Sequence, residues 1–222
     1  MHWCSRICGW ALFMLMTIGT GQARAQFGNF FRDQAGQFDY YVFSLSWSPE
    51  YCAGTSSGGS SQQCGEGRRF GFVVHGLWPQ YNRGSPQFCR NSSRVDNKLI
   101  AQLLPIMPSE QLIRHEWKKH GTCSGLTASQ YFTKVEDSYA LVTIPPRYEN
   151  PKHAVSVAPR QLKTDFAAAN RNFTEQNFAL TCKGRFLSEV RVCLDKDLNP
   201  RICGADIRDL CRAEKVILRP VR

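Results

Sequence analysis

The decapeptide Arg114 to Cys123, RHEWKKHGTC, gathers His115, Glu116, Lys119 and His120 around Trp117. Two imidazoles, a carboxylate and an ammonium so spaced could bind zinc, form a solvated charged face, or move protons at a phosphate. The zinc pattern H-E-x-x-H sets its imidazoles at i and i+4, about 40° apart on a helix. Here they stand at i and i+5, about 140° apart, so a metal would need a further ligand from elsewhere in the chain. With His115 as zero, Lys119 falls at about 40°, Glu116 at about 100° and His120 at about 140°, while Ile113 and Trp117 fall at roughly 160° to 200°. One side of this helix is chemical and the adjoining side can anchor it in a core. Lys118 reads as solvated charge; a tryptophan and two histidines in the same turn and a half do not.

A second segment, Phe72 to Gln80, FVVHGLWPQ, carries His75 and Trp78. A lone histidine there would be structural, but beyond position 25 only His153 lies outside the two segments. Two imidazoles and a cation can cleave a phosphodiester whose sugar bears a 2′-hydroxyl. One histidine takes the hydroxyl proton and the other donates to the leaving 5′-oxygen, each transfer worth about 10² to 10⁴ in rate.

The elements that must position these groups are legible in outline. Asp39 to Trp47 is aromatic and β-branched, as a strand should be. Phe70 to His75 is nearly continuous in apolar character and reads as a strand buried on both faces, ending at His75 before a sharp turn. Ser109 is an N-cap and Gly121 a stop for a helix over Glu110 to His120. Thr127 and Gln130 form a capping box for a second helix through Leu141, with Phe132, Val135 and Tyr139 on its core side. Strand-like runs return at 178–182, 189–194 and 215–218. Strands and helices in mixed order indicate an α+β fold, a central antiparallel β-sheet with several packed α-helices.

The first 25 residues carry Arg6, an apolar run from Ile7 to Ile18, and Ala23 and Ala25 in the small-x-small pattern of an export signal cleaved after Ala25. The run is too short for the roughly 20 residues that span a bilayer. Residues 26–222 suit one domain with no second apolar span. Of the ten cysteines, Cys4 and Cys8 leave with the signal; the remaining even set, none in C-x-x-C spacing, reads as four disulfides. A bridge between Cys52 and Cys64 is expected to tie the Gly/Ser-rich loop between them. Cys123 reads as a half-cystine rather than a nucleophile. Loss of Arg6 and Arg24 lowers the net charge from +10 to +8, a balance that favours polyanions without proving one. Asn91-Ser92-Ser93 and Asn172-Phe173-Thr174 match the glycosylation sequon and are expected near the surface.

HGLWPQ and HEWKKHGTC resemble the two active-site segments of the ribonuclease T2 family, exported endoribonucleases that act without a metal. The likeness extends to FDYYVFSLSWSPEYC and, more loosely, to LSEVRVCLD, and so covers most of the chain beyond the signal. It implies one catalytic domain over 26–222 in which His120 is the general base on the 2′-hydroxyl and His75 the general acid. Lys119 and His115 would stabilise charge on the phosphorane oxygens, and Glu116 would polarise or orient the phosphate site. The products would be a 2′,3′-cyclic phosphate and a 5′-hydroxyl, with low base specificity. The partner implied is single-stranded RNA; DNA, lacking the nucleophile, would be spared. Trp78 would stack a base beside Gln80, which replaces the acidic or small residue often found there in the family. The family's disulfides would pair Cys89 with Cys123, Cys182 with Cys211 and Cys193 with Cys203, leaving Cys52 with Cys64. No cofactor and no metal are implied. The protein is expected as an exported monomer, periplasmic or extracellular, without a membrane anchor. A catalytically silent relative would be marked by loss of a key histidine, and both are present.

Overall fold

Aromatic and β-branched residues crowd the two segments that become β1 (Tyr40–Trp47) and β2 (Phe72–Gln80), which pair antiparallel. The computed structural model describes residues 33–54, 61–90 and 94–221; the expected signal with Cys4 and Cys8, and the sequon at Asn91, lie outside them. Four further strands are β3 (Val155–Val157), β4 (Phe178–Lys183), β5 (Phe186–Leu194) and β6 (Val216–Leu218). The helices are α1 (Ser48–Ala53), α2 (Ser61–Cys64), α3 (Asn97–Leu103), α4 (Glu110–Lys119), α5 (Ala128–Leu141), α6 (Pro146–Glu149) and α7 (Pro159–Ala169). The sheet runs β2-β1-β5-β6-β3, with β4 also paired to β5. Its pairings are antiparallel except for one parallel contact, Phe186 with Ile217, between β5 and β6. The fold is α+β.

Alternation divides the sheet into two faces. Tyr41, Phe43, Leu45 and Trp47 of β1, with Phe72, Val74 and Leu77 of β2, join the main core, where Ile113 and Trp117 of α4 and Tyr131, Phe132 and Val135 of α5 also lie. Burying a side chain such as Ile113 stabilises the fold by about 1.5–3 kcal/mol, which holds α4 by its apolar side. The opposite face carries Tyr40, Val42 and Cys193 packed against Trp78.

β2 departs from the expected strand. It does not end at His75 but continues to Gln80, and its register shifts: Gly76 opposes Ser44 while Val74 opposes Leu45. His75 is the extra residue of a β-bulge, a device that re-aims a side chain where strict alternation would bury it. The bulge lets Leu77 and Val74, three apart, both face the core and leaves His75 34% exposed.

α4 begins at Ser109, whose hydroxyl accepts from Leu112 N (3.2 Å), and ends at Lys119 with His120 as its C-cap. Gly121 opens a short 3₁₀ turn, Gly121–Ser124. It serves as a close-packing position more than as a stop, because a β-carbon there would meet Trp117 Cε3 at 2.4 Å. The capping box of Thr127 and Gln130 starts α5. Phe132 and Val135 are fully buried, but Tyr139 is 36% exposed. In the last turns of that helix the buried position is taken by Ser138, whose hydroxyl donates to Lys134 O (2.7 Å). Among the described residues, four disulfides join Cys52 to Cys64, Cys89 to Cys123, Cys182 to Cys211 and Cys193 to Cys203.

Candidate active site

Trp78 stands between the two segments' imidazoles. Its ring meets His75 edge-on (centroids 5.0 Å, 83°) and His120 at a tilt (5.5 Å, 36°). Its indole N–H donates to Glu116 Oε2 at 2.7 Å. Glu116 Oε1 in turn lies 3.8 Å from His75 Nε2. Helix α4 thus delivers Glu116 and His120 to the face on which the β2 bulge presents His75.

The strand residue after His75 makes this possible. A β-carbon at Gly76 would stand 2.1 Å from Glu116 Oε2 and 2.5 Å from Trp78 Nε1. Glycine is required there for the approach of the carboxylate and not for an unusual backbone angle.

The environments of the two histidines differ in sign. His120 is 7% exposed and its Nδ1 is buried without a hydrogen-bond partner. Burial, then the charges of Lys119, His75 and His115, push its pKa down to about 3, so the ring is neutral. Burial also disfavours charge on His75, but the hydrogen bond and charge of Glu189, with that of Glu116, outweigh it and raise the pKa above the ordinary value. Burial lifts Glu116 to about 7, against the opposing pull of His75, Trp78 and Lys119. His115 is exposed and lowered, by partial burial and then by Lys119, His75 and Lys118. Lys119 is partly buried, and its carbonyl accepts from Phe88 N at 2.8 Å. Phe88 adjoins the Cys89–Cys123 bridge, so the disulfide and this hydrogen bond together brace the end of α4. Lys118 is exposed, as its place on the helix wheel implies.

Gln80 is not brought into this group: it is 6% exposed on β2, opposite Tyr40. Two residues escaped the sequence reading. Glu189 Oε1 lies 2.6 Å from His75 Nδ1, and its Oε2 accepts from Arg191 Nε (2.9 Å) and Nη2 (2.8 Å). Arg191 also lies 5.3 Å from the Trp78 ring centroid. An acid and a base two apart on a strand share a face, which was the available signal. Among the described residues, no group of three or more His, Cys, Asp or Glu is disposed to hold a metal ion.

This arrangement can hold one imidazole neutral and another protonated against the same Trp78, beside a carboxyl that is protonated in weak acid. The Ribonuclease T2 family matches the chain over residues 38–203. A ribonuclease of Aeromonas hydrophila is 36% identical over 198 residues, covering 86% of this chain and 90% of that one. Ribonuclease DdI of Dictyostelium discoideum is 31% identical over 177 residues, covering 73% and 76%. Ribonuclease MC1 from the seeds of bitter gourd superposes with a TM-score of 0.60 at 25% identity, over 81% of this chain and 99% of that one.

Proposed function

The chain belongs to the ribonuclease T2 family, and on that footing we propose that it cleaves single-stranded RNA by transphosphorylation, with His120 as general base and His75 as general acid. It is an RNA-cleaving endoribonuclease. In the proposed reaction the neutral His120 takes the proton of the 2′-hydroxyl as the 2′-oxygen attacks phosphorus. The P–O5′ bond breaks, and the protonated His75 gives its proton to the departing 5′-oxygen. A 2′,3′-cyclic phosphate and a 5′-hydroxyl result, and the two histidines have exchanged protonation states.

The observation that carries this reading is the opposite displacement of the two imidazoles, His120 lowered to about 3 and His75 raised, around a shared Trp78. General acid–base catalysis needs one ring in each state at the same pH. Lys119 and His115 supply positive charge for the phosphorane oxygens. Glu116, with its pKa near 7, is protonated in weak acid and can donate a hydrogen bond to a phosphoryl oxygen instead of repelling it. Trp78 contacts both rings, and being half-buried it can also offer an edge to a base. No metal is assigned a step, and DNA, without a 2′-hydroxyl, is not a substrate.

Export after cleavage of residues 1–25 is part of the proposal, with 26–222 as a single catalytic domain. Four disulfides support it, since such bridges persist in oxidising compartments. Among the described residues, no helix is long and apolar enough to cross a membrane.

Incubating the purified protein with a mixed-sequence RNA and excess EDTA, and mapping both new ends, tests the reading. Cyclic phosphate and 5′-hydroxyl termini at many base contexts are expected. Failure to cleave at any pH between about 4 and 8, a range that brackets the ordinary histidine pKa, or 5′-phosphate ends, would overturn it.

A further inference from the structure

We propose that Glu189, clamped by Arg191, is the positioning residue of His75: it accepts the Nδ1 proton and so turns Nε2 toward the scissile phosphate. The inference rests on His75 acting as the general acid and adds a residue to that reaction.

The geometry supplies three independent supports. The Nδ1–Oε1 separation of 2.6 Å is that of a short, charge-assisted hydrogen bond. The second carboxylate oxygen is not free to rotate, because Arg191 holds it through two nitrogens and Thr181 Oγ1 approaches at 3.4 Å. The carrier strand β5 is paired on both sides, to β1 and to β4, over the residues concerned. A carboxylate fixed on an interior strand is a rigid mount for a histidine that sits in a bulge, where the backbone by itself specifies the ring least.

The chain of contacts also closes on itself. His75 touches Glu189, Glu189 binds Arg191, Arg191 lies against Trp78, Trp78 donates to Glu116, and Glu116 faces His75 Nε2. Within that ring the two nitrogens of His75 meet different partners. Nδ1 faces Glu189, and Nε2 faces the side where Glu116 and His120 gather. A ring nitrogen bonded to a fixed carboxylate carries its proton there, which leaves the other nitrogen to exchange protons with substrate.

The charges facing His75 come from every neighbouring element. They are Glu189 and Arg191 on β5, Glu116 on α4 with His115 and His120 beyond it, and Glu50 of α1 and Lys183 of β4 across the adjoining cleft of about 270 Å³. Among the carboxylates of the described residues, Glu189 alone is in hydrogen-bond contact with the ring. Its charge is retained: burial opposes ionisation, but the hydrogen bond from His75 and the charges of His75 and Arg191 hold its pKa down at about 2.

Glu189→Gln keeps a hydrogen-bond acceptor of the same shape and removes the charge. In this variant kcat should fall on the order of 10- to 100-fold with KM little changed, a part of the about 10² to 10⁴ that one proton transfer commands. The alkaline limb of kcat/KM should move to lower pH, and the NMR titration of the His75 ring should move the same way. A merely structural role would lower the amount of folded enzyme and leave kcat per folded molecule in place. An unchanged limb and an unchanged His75 titration in the folded variant overturn the inference. Should Glu189→Gln not fold, the titration of His75 in the wild-type protein decides. A pKa above the ordinary histidine value, with Nδ1 protonated in the neutral ring, supports the role; an ordinary or lowered pKa, or a proton on Nε2, removes it. Wild-type protein that leaves RNA intact in EDTA would refute the underlying reaction instead, whereas the His75 titration does not depend on activity.

Discussion

Glu116 fills the space that Gly76 leaves empty. The carboxylate Oε2 lies 2.1 Å from where a β-carbon at position 76 would stand, well inside contact distance. The strand is cut away at one residue so that a helix can insert a carboxyl beside the neighbouring histidine.

Gly76→Ala should therefore damage the site before it damages the fold. Glu116 and Trp78 must both shift, and overpacking of this kind costs about 1–3 kcal/mol. Urea denaturation should show a loss in that range, with kcat/KM on RNA reduced by about 10²-fold or more through the misplaced groups. A variant with wild-type kcat/KM would show that Glu116 need not sit where it does.

Replacing either imidazole should remove a proton transfer. His75→Ala and His120→Ala are each expected to lose about 10² to 10⁴ in kcat while retaining the circular dichroism of the parent. Near-full activity in one variant would strip that residue of its role.

The activity should extend into acid. His120, lowered to about 3, remains a base well below the usual histidine range, while the raised pKa of His75 sets the alkaline limb. A pH profile of kcat/KM should accordingly hold up through weak acid and fall only at a pH above the ordinary histidine pKa. A rate that instead climbs through that region would show that His75 does not act in its protonated form.

Stability should have its own pH signature. In the unfolded chain His120 binds a proton near its ordinary value, whereas the folded site resists it down to about 3. Between those limits the unfolded state holds more protons, so His120 makes stability fall as pH falls. Glu189 acts in the same direction at lower pH: its contribution is complete above the ordinary glutamate pKa and is lost as pH drops toward 2. His120→Asn should flatten the decline between about pH 6.5 and 3 in denaturation midpoints, leaving the steeper loss below it. An unaltered slope would mean that His120 titrates normally.

The bridge between Cys89 and Cys123 closes a loop with a sequence separation of 34, for which chain entropy predicts about 4 kcal/mol of stabilisation. The double variant Cys89→Ala, Cys123→Ala should lose stability of that order. Its kcat should fall as well, because the bridge and the Phe88–Lys119 hydrogen bond brace the end of α4 that carries Lys119 and His120.

The sequence by itself determined the helix that carries His115 to His120. Three-and-six-tenths periodicity is local, so the angles of His115, Glu116, Lys119 and His120 about Trp117, and the capping residues Ser109 and Thr127, could be read without a partner. The alternating strand β1 was equally plain. What the chain alone left undecided depends on pairing across strands. Whether β2 stops or bulges at His75 is set by its register with β1, and one extra residue in that register reverses which side chains face the core. Glu189 lies 114 residues from His75, and no local rule links a strand acid to a distant ring. Gln80, placed near the site in the sequence reading, is enclosed by its neighbours on the sheet, and Tyr139 stands at the surface despite its helical spacing. Periodicity states which way a side chain points along its own element; only the packed structure decides what waits there.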